Sequence, residues 1–490
     1  MGLKEDAKFA RFITMGALGA ERIANDLTER GHRIIELERY AMANKIWSTK
    51  VKRLRMADLL CLQCGRRFEA KAKSKLEVKI SDSQQAGRGW RDGMRPEDVF
   101  AFIPVVVDGN NRALAIGIPL YLTMASMDKV TPKKGQLKSA TDGSERDIYW
   151  PITVATRAGV VSRVQAGRIT IQPSSGKAST LGRSTDSPLV KLGDRVDAGS
   201  ILGASVSPAT DLACAGITWS LTDAMNSDDQ IEVFAAVKAA GVLKADYLIT
   251  ALSKIATADD RDTRLRIEAL GALARLGDAT ATSQLAGWSP DDRDVAMQME
   301  RVLVLSELID NRSATRCLLE IAHDQRRSEE IRAAAVWGLG ATWHNQFTYC
   351  WEFVSDEIEK VRRHAQAGLG RPTSSDLPGL ILALADRQRA PLAAAMLARS
   401  RGAISQLIAA LSDEDRHDWA LQALGQIDPG AVNESADVLK SCDRAALNAL
   451  WCRNIEDSYN EPTNLTEIRF LTGQSLRAPN GMGKLPPATV

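Results

Sequence analysis

The spacing of hydrophobic positions predicts one long helix near the start of the chain. Within residues 16–30, Ala20, Ile23 and Leu27 recur at intervals that place them along one face of a helix. Gly31 follows directly and is well suited to end the helix, because glycine readily adopts the left-handed conformation common at helix C-termini. We therefore predict a helix over residues 16–30.

After this helix the pattern changes to short apolar runs separated by turns, which is typical of β-strands. A tight two-residue turn at Cys64-Gly65 is predicted to join two of the strands, and Asp108–Asn111 is predicted to form a second hairpin turn. A helix followed by strands indicates a compact α/β domain over residues 1–128. The predicted strands are His32–Glu38, Ala57–Gln63, Arg67–Lys73, Val99–Val107 and Leu114–Leu120.

Residues 129–225 lack helical periodicity and are rich in Gly, Ser, Thr and Val, which predicts a small β-rich domain. The stretch Val190–Gly199 resembles the turn of biotinyl/lipoyl-type barrel-sandwich domains. No lysine suited to modification stands at a hairpin tip, so the resemblance implies a spacer or interaction module rather than a swinging-arm carrier.

Residues 226–455 are predicted to be helical and repetitive, with the recurring pattern Arg-x-x-Ala-x-x-x-Leu-Gly. The small Ala lets paired helices pack closely, and the Gly ends a helix before the next turn. The units resemble short HEAT repeats, which implies an all-α solenoid; an irregular helical bundle is the alternative. Residues 456–490 are predicted to be a C-terminal extension and tail. The copies begin at Arg266, Arg332, Arg362 and, more loosely, His417.

Composition and charge distribution narrow the functional classes. The 490 residues are 44% hydrophobic and 25% charged, which is ordinary for globular domains. Residues 1–95 hold 21 Lys/Arg against 12 Asp/Glu, a net of +9 on a chain whose total is +2, so a local polyanion site is indicated. The apolar runs are too short to span a membrane, the N-terminus lacks a signal-peptide pattern, and seven cysteines do not suggest a disulfide framework. We therefore expect a reduced, cytoplasmic protein.

Asp58 and Glu69-Ala70-Lys71 form the arrangement best suited to chemistry. Alternate strand residues share a face, so Glu69 and Lys71 point the same way. The two-residue turn would place Asp58 opposite Lys71, with Glu69 as its diagonal neighbour. Glu77-Val78-Lys79 offers a competing motif further along, but pairing it with Asp58 would require a turn near Arg67, where no turn-forming residue stands.

The helix Gly16–Arg22, together with Leu27 and Gly31-His32, resembles the opening helix of archaeal Holliday-junction resolvases and Mrr-type restriction nucleases. With Asp58 and Glu69-Ala70-Lys71 after it, the first 120 or so residues resemble the PD-(D/E)xK nuclease superfamily. Ala57 stands where the family pattern has proline, although that proline is often missing. The resemblance implies a restriction-endonuclease-like α/β core and metal-dependent phosphodiester hydrolysis.

Carried over by position, the resemblance gives each site residue a role. Glu21 would be the helix carboxylate, Asp58 and Glu69 the metal ligands, and Lys71 the catalytic lysine. Mg²⁺ (or Mn²⁺) suits carboxylate oxygens, activates a water and offsets charge on the phosphate. The alternative is a hairpin carrying an ordinary exposed ladder of charges.

Basic residues flank this motif and predict phosphate contacts. We expect DNA as the main partner. Three further possibilities stay open: RNA as the substrate, a protein partner bound to the repeats, and a homodimer that cuts both strands. The architecture suits restriction, repair or phage defence. The rival function is a non-catalytic HEAT-repeat scaffold with an inactive nuclease-like domain that binds nucleic acid or protein. The predicted nucleic-acid-binding residues are Lys50, Lys52, Arg53, Arg55 and Lys73.

Cys61-Leu62-Gln63-Cys64-Gly65 looks like half of a zinc ribbon. Structural zinc needs four ligands, and neither a second C-x-x-C motif nor a nearby Cys/His pair follows in the sequence. We therefore expect a plain strand and turn here, with zinc binding left as an open question.

Overall fold

The computed structural model describes residues 7–37, 56–86, 89–107, 113–115, 118–140, 143–165, 168–181, 187–287, 294–340, 346–370, 372–435 and 443–457. The described chain divides between Ala251 and Leu252 into two compact units. All described strands belong to the N-terminal unit, and the C-terminal unit is helical. The predicted layout of a sheet-rich N-terminal region and a helical C-terminal region is therefore confirmed. The division falls later than the predicted boundary at residues 225–226.

The N-terminal unit opens with the predicted helix, α1, which begins earlier than expected and spans Ala7–Glu29. Gly31 then adopts a left-handed φ of +88°, and the N–H of His32 donates to the carbonyl of Leu27, so the helix ends where the sequence predicted. The strands are β1 Ile34–Glu36, β2 Leu59–Cys61, β3 Arg67–Lys73, β4 Val78–Ser83, β5 Val99–Val107, β6 Ala113–Ala115, β7 Leu120–Thr123, β8 Lys133–Lys134, β9 Lys138–Ala140, β10 Gly143–Trp150, β11 Ile152–Val154, β12 Gly159–Gln165, β13 Arg168–Gln172, β14 Ser179–Leu181, β15 Ser187–Pro188, β16 Arg195–Val196 and β17 Ile201–Ala204.

The largest sheet is mixed and runs in the order β1-β2-β3-β5-β6, with β7 also paired to β5. Strand β2 is antiparallel to both of its neighbours, β1 and β3, whereas β3 and β5 are parallel. The predicted strands at 67–73 and 99–107 match β3 and β5 at both ends. The predicted strand at 114–120 is instead two strands, β6 and β7, and the predicted turn at 108–111 lies outside the described residues.

Helix α1 covers one face of this sheet. Ile23 and Leu27 of the helix pack with Phe68 of β3 and Ala101 of β5 in one buried cluster. The helix approaches very closely at Gly19, where an added Cβ would lie 2.6 Å from the Cβ of Ala72. Even-numbered residues of β3 therefore face α1, and odd-numbered residues face the opposite side.

A second sheet, β4-β10-β8 with β9, contributes to a separate apolar cluster. In that cluster Val78 of β4 and Trp150 of β10 pack with Phe100 and Phe102, which lie on the β5 face turned away from α1. β4 is thus a separate strand and does not continue β3. Because β4 pairs with β10, a sheet crosses the predicted domain boundary at residues 128–129.

Two further small sheets, β11-β17-β15 and β14-β13-β12-β16, occupy the rest of the predicted β-rich region. After β17 the chain returns to the first sheet, where the N–H of Ala209 donates to the carbonyl of Tyr121 and Leu212 enters the α1 core. We call residues 205–219 the return segment. It brings residues distant in sequence to the turn between β2 and β3.

Short helices dominate the remainder of the described chain, and among the described helices none is both long and apolar enough to cross a membrane. Two single 3₁₀ turns, Asp246–Leu248 and Arg401–Ala403, stand between them. The helices after β7 are Met124–Asp128, Leu221–Met225, Gln230–Leu243, Ile249–Thr257, Thr263–Arg275, Ala279–Ala286, Val295–Glu307, Arg312–His323, Glu329–Leu339, Gln346–Trp351, Glu359–Gly368, Leu377–Ala383, Ala390–Leu397, Ile404–Ala410, His417–Gln426, Pro429–Glu434 and Arg444–Asp457.

The repeated arginine has a structural role in two copies of the helical pattern. Arg266 Nε donates to the carbonyl of Ala256, and Arg332 Nε donates to the carbonyl of Ala322 at 2.7 Å. Each arginine thus satisfies a carbonyl in the last turn of the helix before its own. The repeated alanine and leucine are buried, as at Ala335 and Leu339.

Arg332→Ala should lower the free energy of unfolding of the C-terminal unit by about 3 kcal/mol. Arg332 is buried and also forms an ion pair with Asp356 at 2.6 Å, so the change leaves a carbonyl and a largely buried carboxylate without their donor. Urea unfolding measures the effect. Arg316→Ala, which removes an exposed ion pair with Glu320, is the control and should cost under about 1 kcal/mol. Equal midpoints for the two variants would contradict the capping role.

Candidate active site

The hairpin of β2 and β3 brings Asp58 and Glu69 to the same level. Leu59 pairs with Phe68, so the next position out on each strand is Asp58 and Glu69. The predicted register, with Asp58 opposite Lys71, is wrong by two residues. The reason is the turn: Leu62–Gly65 forms a four-residue loop instead of the predicted two-residue turn.

Two hydrogen bonds close this loop. The N–H of Cys61 donates to the carbonyl of Arg66 at 2.9 Å, and the N–H of Gly65 donates to the carbonyl of Cys61 at 3.0 Å. Gly65 has a φ of +69°, a conformation that favours glycine. The resulting register makes Glu69 the direct cross-strand partner of Asp58.

The carboxylate of Asp58 is held by the neighbouring strand. Asp58 precedes the first paired residue of β2, so the strand ladder ends beside it. Its Oδ2 accepts a hydrogen bond from the backbone N–H of Ala70 at 2.8 Å. A carboxylate anchored in this way keeps a fixed position beside Glu69.

Glu69 and Lys71 share the face of β3 that is turned away from α1, and their side chains form an ion pair. Both side chains are partly exposed, Glu69 at 14% and Lys71 at 28%, so solvent or a substrate can reach the pair. The structure therefore brings together three of the four predicted catalytic residues: Asp58, Glu69 and Lys71.

Glu21, the fourth predicted catalytic residue, lies apart from this group. The α1 residues that pack on the sheet, including Gly19, Ile23 and Leu27, define one stripe of the helix. Glu21 lies on the opposite side of the helix from that stripe, and α1 itself covers the other face of the sheet from Glu69. Burial raises the pKa of Glu21 above its ordinary value. Its role as the helix carboxylate of the site therefore stays a prediction that the helix position does not favour.

Lys73 is not placed as an exposed phosphate contact. Its Nζ donates to the carbonyl of Lys79 at 2.6 Å, which ties β3 to the start of β4. Burial, with the charges of Lys71 and Lys79 close by, lowers the pKa of Lys73 to about 8. Lys73 is thus a half-buried lysine on β3, and its role in nucleic-acid binding stays a prediction.

We expect the amine of Lys73 to titrate near pH 8, well before that of Lys79, whose pKa is raised by its hydrogen bond to Glu77. Because the folded pKa of Lys73 lies below its ordinary 10.5, the unfolded chain binds more protons between these values. The buried amine of Lys73 therefore lowers the free energy of unfolding most below pH 8. This destabilisation decreases as the pH rises towards 10.5. Competitive acetylation with mass-spectrometric readout should show Lys73 reacting at lower pH than Lys79. Identical profiles for the two lysines would contradict this placement.

The remaining basic residues fall into two groups. Lys50, Lys52, Arg53 and Arg55 lie outside the described residues. Arg67, which also flanks the motif, is buried and forms a bidentate ion pair with Asp98. Its shortest contact joins Arg67 Nη2 and Asp98 Oδ2 at 2.6 Å. That arginine serves the fold rather than the site.

The competing motif Glu77-Val78-Lys79 is separate from Asp58. Glu77 precedes β4 and pairs with Lys75 at 3.3 Å and with Lys79 at 3.1 Å. Because β4 belongs to the second sheet, the register that brings Asp58 level with Glu69 does not extend to Glu77.

Sequence reasoning missed a group of metal-ligating side chains at the other end of the hairpin. The expectation that Cys61 and Cys64 lack partners is wrong, because His32 and Cys214 lie beside them. His32 directly follows the predicted helix end and could have been noticed. Cys214 could not, since only the path of the return segment brings it near. The thiols of Cys61 and Cys64 are hydrogen-bonded to each other. This hydrogen bond lowers the pKa of Cys61, which accepts it, and raises the pKa of Cys64, which donates it.

Comparisons with known proteins add little to this geometry. No protein-family model matches the chain, and no curated protein sequence matches it. Among solved structures, the chain is similar to human deoxyhypusine hydroxylase in complex with glycerol, at 20% sequence identity and a TM-score of 0.22. That match covers 44% of this chain and 97% of the hydroxylase chain. A TM-score this low supports no inference about fold or function.

Proposed function

We propose that the β2–β3 hairpin carries the active site of a metal-dependent nuclease. The observation that carries the proposal is the cross-strand pairing of Asp58 with Glu69, with Lys71 beside Glu69 on the same face of β3. Two carboxylates and a lysine, partly exposed on a fixed hairpin, have the composition that phosphodiester hydrolysis requires. DNA is the substrate we favour, on the strength of the basic N-terminal sequence.

The donor set fits a hard divalent cation. Mg²⁺ prefers oxygen ligands and is commonly held by one or two carboxylates together with waters and substrate phosphate, so Asp58 and Glu69 would suffice to hold it. The cation, when bound, would polarise the phosphate and supply an activated water. The chain's own contribution is to fix the two carboxylates by the hairpin register and the Ala70 N–H.

Lys71 would act on the substrate directly. Its ammonium is paired with Glu69, which would be one of the ligands of the cation. From there it can stabilise negative charge that builds on the phosphate during attack. Lys73, lying behind it, adds positive charge below its pKa of about 8.

We also propose a restriction-endonuclease-like core followed by HEAT-like repeats. A mixed sheet with parallel β3 and β5 and a helix on one face supports a restriction-endonuclease-like core. The buried alanines and helix-capping arginines of the C-terminal unit support HEAT-like repeats that bind DNA or a protein partner. Cysteines without disulfides in the described residues suit a reducing compartment such as the cytoplasm.

A cleavage panel tests the proposal. Full-length protein is incubated with duplex, branched and single-stranded DNA and with RNA, in Mg²⁺ and, separately, in Ca²⁺. We expect Mg²⁺-dependent cleavage of at least one DNA substrate, and binding with little or no cleavage in Ca²⁺.

The same panel distinguishes the proposed nuclease from the rival, non-catalytic function. Salt-sensitive binding without cleavage of any substrate would favour the non-catalytic scaffold. Cleavage confined to RNA would support metal-dependent phosphodiester hydrolysis but would contradict DNA as the substrate.

A further inference from the structure

Four side chains with affinity for soft metals converge at the end of the hairpin opposite Asp58. His32 stands in the turn after α1, Cys61 ends β2, Cys64 lies in the four-residue loop, and Cys214 belongs to the return segment. Their ligand atoms all lie within 4.8 Å of one another, and His32 and Cys61 are buried.

Two distances within this group match the edges of a zinc tetrahedron. With Zn–S bonds of about 2.3 Å and Zn–N bonds of about 2.0–2.1 Å, tetrahedral angles give S···S edges of about 3.8 Å and S···N edges of about 3.6 Å. The Sγ atoms of Cys61 and Cys214 are 3.8 Å apart, and Cys64 Sγ lies 3.6 Å from His32 Nδ1. A disulfide would instead require about 2.05 Å between sulfurs.

Surrounding hydrogen bonds orient the ligands. The Nε2 of His32 lies 2.9 Å from the carbonyl of Leu212, where Nε2–H can donate and leave Nδ1 as the metal-facing atom. Backbone hydrogen bonding from Gln63 and Cys64 also lowers the pKa of the Cys61 thiol. Such donors stabilise a thiolate, as they do around structural zinc and iron sites.

The loop is also fixed from outside. Gly65 packs so closely on Trp219 that an added Cβ would lie 2.6 Å from the indole ring. The indole N–H donates to Glu232 at 2.8 Å, and Arg95 binds both Glu232 and the carbonyl of Gly65. The loop is thus held in the shape that brings its Cys64 and the adjoining Cys61 to the same centre.

We propose that His32, Cys61, Cys64 and Cys214 bind one structural Zn²⁺. The three thiols each lose a proton on binding, so three thiolates and a neutral imidazole give the occupied site a net charge of −1. Four protein ligands complete the tetrahedron and leave no open position, which indicates a structural rather than a catalytic centre. The ion would join α1, the hairpin loop and the return segment. The inference is independent of the proposed nuclease activity.

Metal analysis of full-length protein tests the site. Protein purified without chelators and under reducing conditions is expected to contain about one zinc per chain by inductively coupled plasma mass spectrometry. Cys214→Ser should lose most of that zinc, whereas Cys317→Ser, which changes a buried cysteine of the C-terminal unit, should retain it. Wild-type zinc content that is unchanged in Cys214→Ser would overturn the assignment.

Native mass spectrometry of the wild type covers the case in which a variant fails to fold. The intact chain should carry the mass of one zinc less the protons it displaces, and the thiols of Cys61, Cys64 and Cys214 should resist alkylation until the zinc is removed. A chain without zinc that does not take up added Zn²⁺, a chain that holds iron instead, or a Cys61–Cys214 disulfide in freshly prepared protein would each overturn the proposal.

Discussion

Cys64→Ser should destabilise the N-terminal unit by about 4 kcal/mol or more, because structural zinc contributes its binding free energy directly to folding. Cys64 reaches the cluster from the hairpin loop, beside His32. Without the ion, the loop keeps its backbone hydrogen bonds, its packing on Trp219 and the hydrogen bond from Arg95 to the Gly65 carbonyl. The loss should be greatest in β2, β3 and the return segment. Amide hydrogen exchange, read peptide by peptide, measures it.

Two controls make this result specific. Cys317→Ser should leave exchange in β2 and β3 unchanged, since Cys317 lies in the C-terminal unit. Exchange in the helix Glu329–Leu339 should be the same in wild type and Cys64→Ser. Protection of β2 and β3 that survives Cys64→Ser would mean that the loop does not depend on a metal.

Lys71→Met and Asp58→Asn should each reduce the single-turnover rate of cleavage by about 10²–10³-fold, the usual effect of removing one group that stabilises charge in a transition state. Asp58→Asn removes the charge needed to hold the cation but keeps an oxygen to accept the Ala70 N–H. Lys71→Met keeps the length of the side chain and removes the ammonium beside Glu69. Single-turnover assays with saturating protein measure the rate without interference from product release.

Lys79→Met is the matched control for the lysine, because Lys79 is also a strand lysine paired with a glutamate but stands in the second sheet. It should change the cleavage rate less than about threefold, whereas substrate binding should change little in any of the three variants. A Lys79→Met rate as low as that of Lys71→Met would point to a general effect of positive charge.

The strands themselves could be predicted from the sequence because local patterns determine them. β3 and β5 match their predicted bounds, since apolar alternation in β3, a continuous apolar run in β5 and the flanking turns are properties of each segment itself. The register between β2 and β3 could not be predicted in the same way. It depends on how many residues the loop uses, and four residues are held there by Gly65 in its left-handed conformation and by Trp219, which lies far along the chain.

The candidate site was predicted in part for the same reason. Asp58, Glu69 and Lys71 lie on one hairpin, so sequence spacing alone brings them close. The placement of Glu21 depends on which face of α1 packs on the sheet. The placement of Lys73 depends on the start of β4, which lies beside it. Cys214 required the whole path of the return segment.

Locating the cation tests the central claim most directly. Crystals of the full-length protein soaked in Mn²⁺ would show its position by anomalous scattering. We predict a Mn²⁺ peak within bonding distance of the carboxylates of both Asp58 and Glu69. A Mn²⁺ ion held by Glu21 or Glu77, with none between Asp58 and Glu69, would contradict the proposed active site.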